Sequence, residues 1–273
     1  MTNTETSPRL QSRAAQWALK SSGILWFLVA LTGQWLFVAY IAVAYGLTTA
    51  AGDYAAWDDT GLIIGFAAGD AFGNFMFAAH VLLAAVVTIG GSLQLIPAIR
   101  HRIPVVHRWN GRLFMIISVF MAVGGLWMIW GRGARLSDIG SIGLSIDGIL
   151  ILVASAIALN FAVRRQIDRH RRWAMRLFIL VNAVWFYRLG FMAWIIVMQG
   201  PVGVGDNLDG PFDISISFLC YLLPLAVLEL YMRAGDSPKA GFKWMATGLM
   251  LLGTAVTALG IFGAWMFMWS PNM

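Results

Sequence analysis

Long apolar segments recur along the whole chain, and short polar segments separate them. Each apolar segment holds about 20 residues or more, among which charges are rare. A helix needs about 20 apolar residues to cross roughly 30 Å of hydrocarbon. The pattern therefore predicts an all-α polytopic membrane bundle with seven transmembrane helices. The predicted spans, numbered 1 to 7 in chain order, are 23–46, 76–98, 112–131, 142–163, 174–199, 212–233 and 244–268.

Composition supports a membrane protein. Hydrophobic residues make up 59% of the 273 residues and charged residues only 12%, whereas a soluble domain is typically about 25% charged. The single cysteine, Cys220, lies inside an apolar run. No intrachain disulfide can therefore form, and we expect Cys220 to be a small buried hydrophobe. We predict no metal site, because cysteine-based zinc and iron–sulfur centres need several thiolates.

The net charge of +6 predicts topology rather than nucleic-acid binding, because the basic residues cluster beside the spans. Of 19 lysines and arginines, 16 fall in the N-terminal tail or in the segments 100–112, 164–176 and 233–243. These clusters lie on alternate loops, and the opposite loops are acidic. Positive loops stay on the cytoplasmic side. We predict a bacterial inner-membrane protein with a cytoplasmic N-terminus, an outer C-terminus and anionic lipids at its cytoplasmic face.

Two segments outside the spans bear on domain organisation. Residues 1–22 are polar and predict a mobile cytoplasmic tail, followed by residues 23–273 as one membrane domain. The first apolar run is too long for a cleaved signal peptide. The loop 47–75 is long, acidic and rich in glycine. It is expected to fold over the outer mouth of the bundle or, alternatively, to act as a lid over a pocket.

A motif occurs twice, at the beginning of spans 3 and 5. His107-Arg-Trp-Asn-Gly-Arg-Leu-Phe114 and His170-Arg-Arg-Trp-Ala-Met-Arg-Leu-Phe178 share Trp-x-x-Arg-Leu-Phe. A spacing of three puts tryptophan and arginine on one helical face, where they can stack. We predict interfacial anchors in both copies. The anchors are Trp109, Arg112, Trp173 and Arg176.

The repetition also suggests that spans 3–4 and 5–6 are duplicated hairpins of like orientation, in contrast to the inverted repeats of many transporters. His107 and His170 stand at similar depth in the two copies. Most simply they are interfacial residues. The alternative is a pair of axial ligands to a b-type haem, or a quinone site, with arginines near the haem propionates.

Charged and polar residues within the spans are the other candidates. Arg188 lies near the middle of span 5, where a charge costs at least about 2.5–3.5 kcal/mol and needs a partner. Asp147 lies at similar depth, and we expect it to pair with Arg188, near His80 and Tyr187. Such a pair either fixes helix register or belongs to a pocket that binds an anionic or quinone-like ligand or relays protons. Gln94 falls on the same face of span 2 as His80, which adds it to the predicted cluster.

The chain resembles a family of bacterial membrane proteins known as the domain of unknown function 2306. The resemblance covers roughly residues 70–235 and leaves spans 1 and 7 mostly outside it. It implies fold and membrane location, and no activity comes with it. The matching residues are His80, Gly90, Gly91 and Gln94; His107-Arg108-x-x-Gly111-Arg112; and His170-Arg171-Arg172-Trp173-x-x-Arg176, with Arg188 beyond.

Four classes of function stay open from the sequence. The first is a membrane protein with a buried polar pocket between spans 2–5, which binds a ligand or assists membrane redox or envelope physiology. The others are a b-haem electron-transfer protein, a transporter of a small solute or protons, and a structural subunit with membrane-protein partners or further copies of itself. No phosphate-binding loop, His-Glu-x-x-His motif or nucleophile elbow is found, so enzymatic activity is left open.

Overall fold

The predicted spans are helices in the computed structural model, which describes residues 8–58, 65–135 and 137–273. No β-strand occurs in these ranges. A π-helical turn, Ala42–Leu47, joins the first two helices, and another, Trp265–Trp269, continues the last. The helices, named α1 to α10 in chain order, are Pro8–Ile41, Thr48–Ala51, Ala71–Leu95, Pro97–Arg102, Pro104–Trp130, Asp138–Val163, Ile167–Val181, Ala183–Met198, Pro211–Asp236 and Ala240–Ala264.

Six of these helices are long and apolar enough to cross a membrane, namely α1, α3, α5, α6, α9 and α10. The seventh span predicted from the sequence is a broken one. Helices α7 and α8 meet that criterion only together, and they bend by 54° at Asn182. The prediction of seven spans is confirmed when this pair is counted as one, but span 5 is not the single straight helix that was expected.

The bent pair lies inside a ring formed by the other six spanning helices. Around the ring, α1 contacts α3, α3 contacts α5, and the ring continues through α6, α9 and α10 back to α1. Four consecutive residues of α7, Leu177 to Leu180, are all buried. Successive helical residues point about 100° apart, so neighbours surround this turn on all sides. The two hairpins of the predicted duplication thus differ in position, since α5 belongs to the ring and α7–α8 to its centre.

A buried polar network lies at the bend. The Asn182 side chain donates to the Phe178 carbonyl (2.7 Å) and accepts from Gln34 of α1 (3.0 Å). Ser92 of α3 in turn donates to Gln34 (2.6 Å). Side chains that bond to the backbone of the preceding turn bend helices. The centre of the bundle is therefore tied to two ring helices at its break.

The predicted N-terminal tail is helical where the structure describes it. Helix α1 begins at Pro8, and Ala15 and Leu19 are buried. Leu19 packs with Ala234 and Ala246 of α9 and α10. The continuous helix from Ser12 is 40 residues long, or about 60 Å at 1.5 Å per residue. This is about twice the hydrocarbon thickness, so α1 extends beyond the membrane at its beginning.

Candidate functional site

Ionisable side chains of four helices form one layer inside the membrane. We call the end of the bundle that carries loops 52–70, 131–137 and 199–210 the acidic end, and the opposite end the basic end. His80, Asp147 and Cys220 each lie nine residues after the first residue of their helix at the acidic end. Arg188 lies ten residues before the last residue of α8. Each is therefore about 14 Å from the acidic end. We call these four residues, together with Tyr187 and Tyr221, the polar layer.

Within the described ranges, Arg188 has no acidic partner. Its guanidinium donates to the Val184 carbonyl (3.2 Å) and lies 5.5 Å from the centre of the Phe37 ring. Tyr40, Tyr45, Tyr187 and His80 lie near enough to interact with its charge. No carboxylate comes within 4.0 Å of it in the part of the chain that the structure describes. The ion pair expected between Arg188 and Asp147 is therefore not formed.

Asp147 faces a different part of the bundle. Its side chain is 5% exposed, and its Oδ1 has no hydrogen-bond partner. It lies near Cys220 and Tyr221 of α9, because α6 and α9 approach closely one turn away. A Cβ atom at Gly143 would lie 2.7 Å from the Ser217 hydroxyl. Asp147 thus points towards α9, whereas Arg188 points towards α1 and α3.

Tyr187 links the two halves of the polar layer, and Gln94 is not part of it. Tyr187 lies near both Arg188 and Cys220. His80 is half-buried, lies beside Gly125 of α5, and has a buried Nδ1 without a hydrogen-bond partner. Gln94, which the sequence placed with His80, donates to the His107 carbonyl at the basic end (2.9 Å). Fourteen helical residues separate the two by about 21 Å, so the shared face does not bring them together.

The loop at the acidic end is fastened by Arg132. Its side chain is only 8% exposed and pairs with Asp70 (2.8 Å). It also donates to the Asn74 side chain (2.8 Å) and the Gly65 carbonyl (3.2 Å). The described parts of the loop, up to residue 58 and from 65, pack against the acidic end, and both the cover and the lid stay predictions. Residues 59–64 lie outside the described ranges.

A run of aromatic rings leads from this loop towards Arg188. Trp57 is buried and lies 5.7 Å from Phe77 of α3, measured between ring centres. Phe77 in turn lies 6.1 Å from Tyr45, which is one of the tyrosines near Arg188. The side chains of the loop therefore stand between Arg188 and the acidic end.

At the basic end, both copies of the repeated motif contain the predicted stacking. The Arg112 guanidinium lies 4.8 Å from the Trp109 ring centre, and Arg176 lies 4.8 Å from that of Trp173. The copies differ in their acidic partners. Arg176 pairs with Glu229 (2.5 Å). Among the described residues, no carboxylate is within 4.0 Å of Arg112.

The two histidines of the motif lie near each other. His107 interacts electrostatically with His170 and with Arg100. His170 Nδ1 forms a hydrogen bond with the Ala158 carbonyl (2.9 Å), whereas His107 Nδ1 is buried without a partner. The described side chains contain no group of three or more His, Cys, Asp or Glu placed to hold a metal ion.

Two cavities are present away from these residues. One, of about 330 Å³, opens at the acidic end beside Arg135 and Asp209. The other, of about 150 Å³, is a groove between α3 and α5. Neither borders the polar layer or the two histidines.

Fold and site together define a multispanning α-helical membrane protein with an ionisable layer inside its bundle. A model of the family described as "Predicted membrane protein (DUF2306)" matches residues 77–232, more than half of the chain. The chain belongs to that family. No curated protein and no solved structure matches it. The matched region contains the polar layer and both copies of the motif, and the family description names no chemistry.

Proposed function

We propose that this membrane protein binds a small anion at Arg188, in the half of the bundle next to the acidic end. The observation that carries the proposal is a cation inside the membrane that has no carboxylate partner among the residues the structure describes. Such a charge costs at least about 2.5–3.5 kcal/mol, and intramembrane charges usually mark ligand or ion sites. The same protein supplies carboxylates to Arg132, Arg172 and Arg176. A bound anion would provide the negative charge that no described carboxylate supplies to Arg188.

The surroundings of Arg188 favour a planar, aromatic anion. Phe37, Tyr40, Tyr45 and Tyr187 supply rings near the guanidinium, and aromatic pairs gain about 0.5–1.5 kcal/mol beyond the area they bury. Proton conduction across the membrane is less well supported. A proton path needs groups at successive depths, whereas His80, Asp147, Arg188 and Cys220 lie at one depth.

Ligand binding can be tested on purified protein in nanodiscs with benzoate and decylubiquinone as probes. We expect benzoate to raise the melting temperature of the unmodified protein, since a ligand at 100 times its Kd stabilises by about 2.7 kcal/mol. Arg188→Gln should abolish the shift. Arg112→Gln is the matched control, because that arginine also lacks a carboxylate but lies at the basic end. An equal benzoate shift in Arg188→Gln, or a response to decylubiquinone alone, would overturn the anion proposal.

A haem between His107 and His170 is the second candidate function. Their proximity supports it, and His170 has the hydrogen bond from Nδ1 to a carbonyl that leaves Nε2 available, as in many metal-ligating histidines. A visible absorption spectrum of the purified protein tests it. Soret and α bands that disappear in His107→Ala would favour haem binding, and their absence from the unmodified protein would exclude this candidate.

We also propose that the protein lies in the bacterial inner membrane with its basic end in the cytoplasm. The charge distribution of the loops supports this orientation. In a Cys220→Ala background, single cysteines at Asn207 and Lys239 would report the two exposed ends. A membrane-impermeant maleimide should label the first and not the second in intact cells whose outer membrane has been permeabilised. The reverse labelling would contradict the proposed orientation.

A further inference from the structure

His80 is a second polar group next to Arg188, and the described residues do not satisfy its hydrogen bonds. Its Nδ1 is buried without a hydrogen-bond partner among them, although each ring nitrogen of a histidine can donate or accept. The imidazole packs against α5 at Gly125, where a Cβ atom would lie 3.5 Å from the ring. It is also near enough to Arg188 to interact with its charge. A buried ring nitrogen beside this cation is therefore available to a ligand.

Ring contacts independently place this part of α3 beside the surroundings of Arg188. Phe77 lies three residues before His80, on nearly the same face of α3, and its ring centre is 6.1 Å from that of Tyr45. Tyr45 forms an edge contact with Tyr40 (5.9 Å between ring centres), and both tyrosines lie near Arg188. The imidazole and the guanidinium therefore border the same group of aromatic rings, at the depth that the polar layer shares.

The helices around this pair contribute no carboxylate within the described part of the chain. Helices α1, α3, α5, α8 and α10 and the π-helical turn after α1 contain no aspartate or glutamate. Tyrosine and arginine change charge only far above neutral pH, whereas histidine does so between about pH 5 and 8. His80 is therefore the one described group beside Arg188 whose charge can change in the neutral range. In the halves of these segments next to the acidic end, the ionisable side chains are Tyr40, Tyr45, His80, Tyr187 and Arg188.

A bound anion changes the balance of charge at His80. In the empty site, a proton on His80 would put a second positive charge next to Arg188, which is unfavourable. An anion bound to Arg188 neutralises the first charge and attracts the second. From these observations we infer that the site at Arg188 takes up its anion together with a proton, which His80 holds. The anion and the proton together make up a weak aromatic acid. This inference rests on the proposed function and specifies its ligand class.

Calorimetric titration of the protein in nanodiscs with benzoate tests this coupling. A carboxylate is ionised at about pH 6 and at about pH 8, whereas a histidine of ordinary proton affinity is about three-quarters protonated at the lower value and hardly at the higher. Because linkage between two ligands is reciprocal, benzoate should bind about fourfold more tightly at the lower pH. There, titrations in buffers of different ionisation enthalpy should show uptake of about three-quarters of a proton per benzoate.

Two histidine variants separate this site from general effects of pH. His80→Gln keeps a polar side chain that cannot take up the proton, so its benzoate affinity should be the same at both pH values and proton uptake should be lost. His101→Gln is the matched control, because His101 is exposed at the basic end, and it should keep the pH dependence of the unmodified protein. Equal pH dependence in the two variants would overturn the inference.

The proton count in the unmodified protein needs no variant, so it tests the inference even if His80→Gln does not fold. Benzoate binding that requires Arg188 but takes up no proton would overturn the coupling and leave the proposed function intact. If benzoate does not bind, or binds equally well to Arg188→Gln, the proposed function itself fails and the coupling fails with it.

Discussion

Arg132 and Arg188 lie in the same half of the bundle, and their surroundings differ in kind. Arg132 is almost fully buried, and its guanidinium is met by a carboxylate, an amide oxygen and a backbone carbonyl. Arg188 has one backbone carbonyl and several aromatic rings. The first arrangement satisfies a cation and stabilises a loop. The second leaves a cation without its counter-charge, which is costly inside a membrane. The comparison separates a structural arginine from a candidate ligand-binding one.

The largest effect is expected when the structural arginine is removed. Arg132→Leu should lower the free energy of unfolding by about 2–3 kcal/mol. Breaking a buried ion pair typically costs about 3–5 kcal/mol, and the 38% exposure of Asp70 reduces that value. Thermal unfolding in detergent measures the loss. Arg135→Leu is the control, since its pair with Asp138 is exposed and should contribute less than about 1 kcal/mol. Equal losses in the two variants would show that the Arg132 network does not fasten the loop.

The ligand-binding arginine should respond in the opposite direction. Arg188→Leu removes an unpaired charge from the membrane interior, so we expect the ligand-free protein to gain about 1 kcal/mol of stability while it loses benzoate binding. The gain is smaller than the full insertion cost because the contacts with Val184 and Phe37 are lost as well. Thermal unfolding with and without benzoate measures both changes. A large loss of stability in Arg188→Leu would place this residue in the structural class with Arg132.

Depth in the membrane could be predicted from the sequence, but the direction of each side chain could not. Counting residues along apolar runs placed Asp147 and Arg188 at one depth, and the structure agrees. Whether they meet depends on the rotations of α6 and α8 about their axes. For α6, the close approach of Gly143 to Ser217 places this face against α9. At the bend, the Asn182 side chain accepts a hydrogen bond from Gln34, 148 positions away in the chain. The only local signal of the bend was an asparagine inside an apolar run. The sequence does not show which residue that asparagine contacts.

The two copies of the repeated motif extend the comparison to the basic end. Arg176→Gln leaves Glu229 without its partner and should cost about 1 kcal/mol, because both side chains are partly buried. Arg112→Gln removes an exposed arginine without a carboxylate and should cost less than about 0.5 kcal/mol. Unfolding of the two variants in lipid-free detergent gives the difference. If Arg112→Gln is the more costly of the two, then the ion pair with Glu229 is not the main difference between the copies.

The smallest expected effect is the coupling between Asp147 and Arg188. The structure separates these residues, since Asp147 lies near Cys220 and Tyr221 while Arg188 lies near Phe37 and His80. Residues that share no partner usually change stability additively, within about 0.3–0.5 kcal/mol. The change in unfolding free energy in the double variant Asp147→Leu/Arg188→Leu should therefore equal the sum of the changes in the single variants, as measured in a thermal unfolding cycle.

Tyr187 lies between the two groups and is the route by which any coupling would pass, so the cycle should be repeated in Tyr187→Phe. A coupling well above 0.5 kcal/mol that persists in Tyr187→Phe would mean that Asp147 itself neutralises Arg188. It would then remove the reason for proposing an external anion.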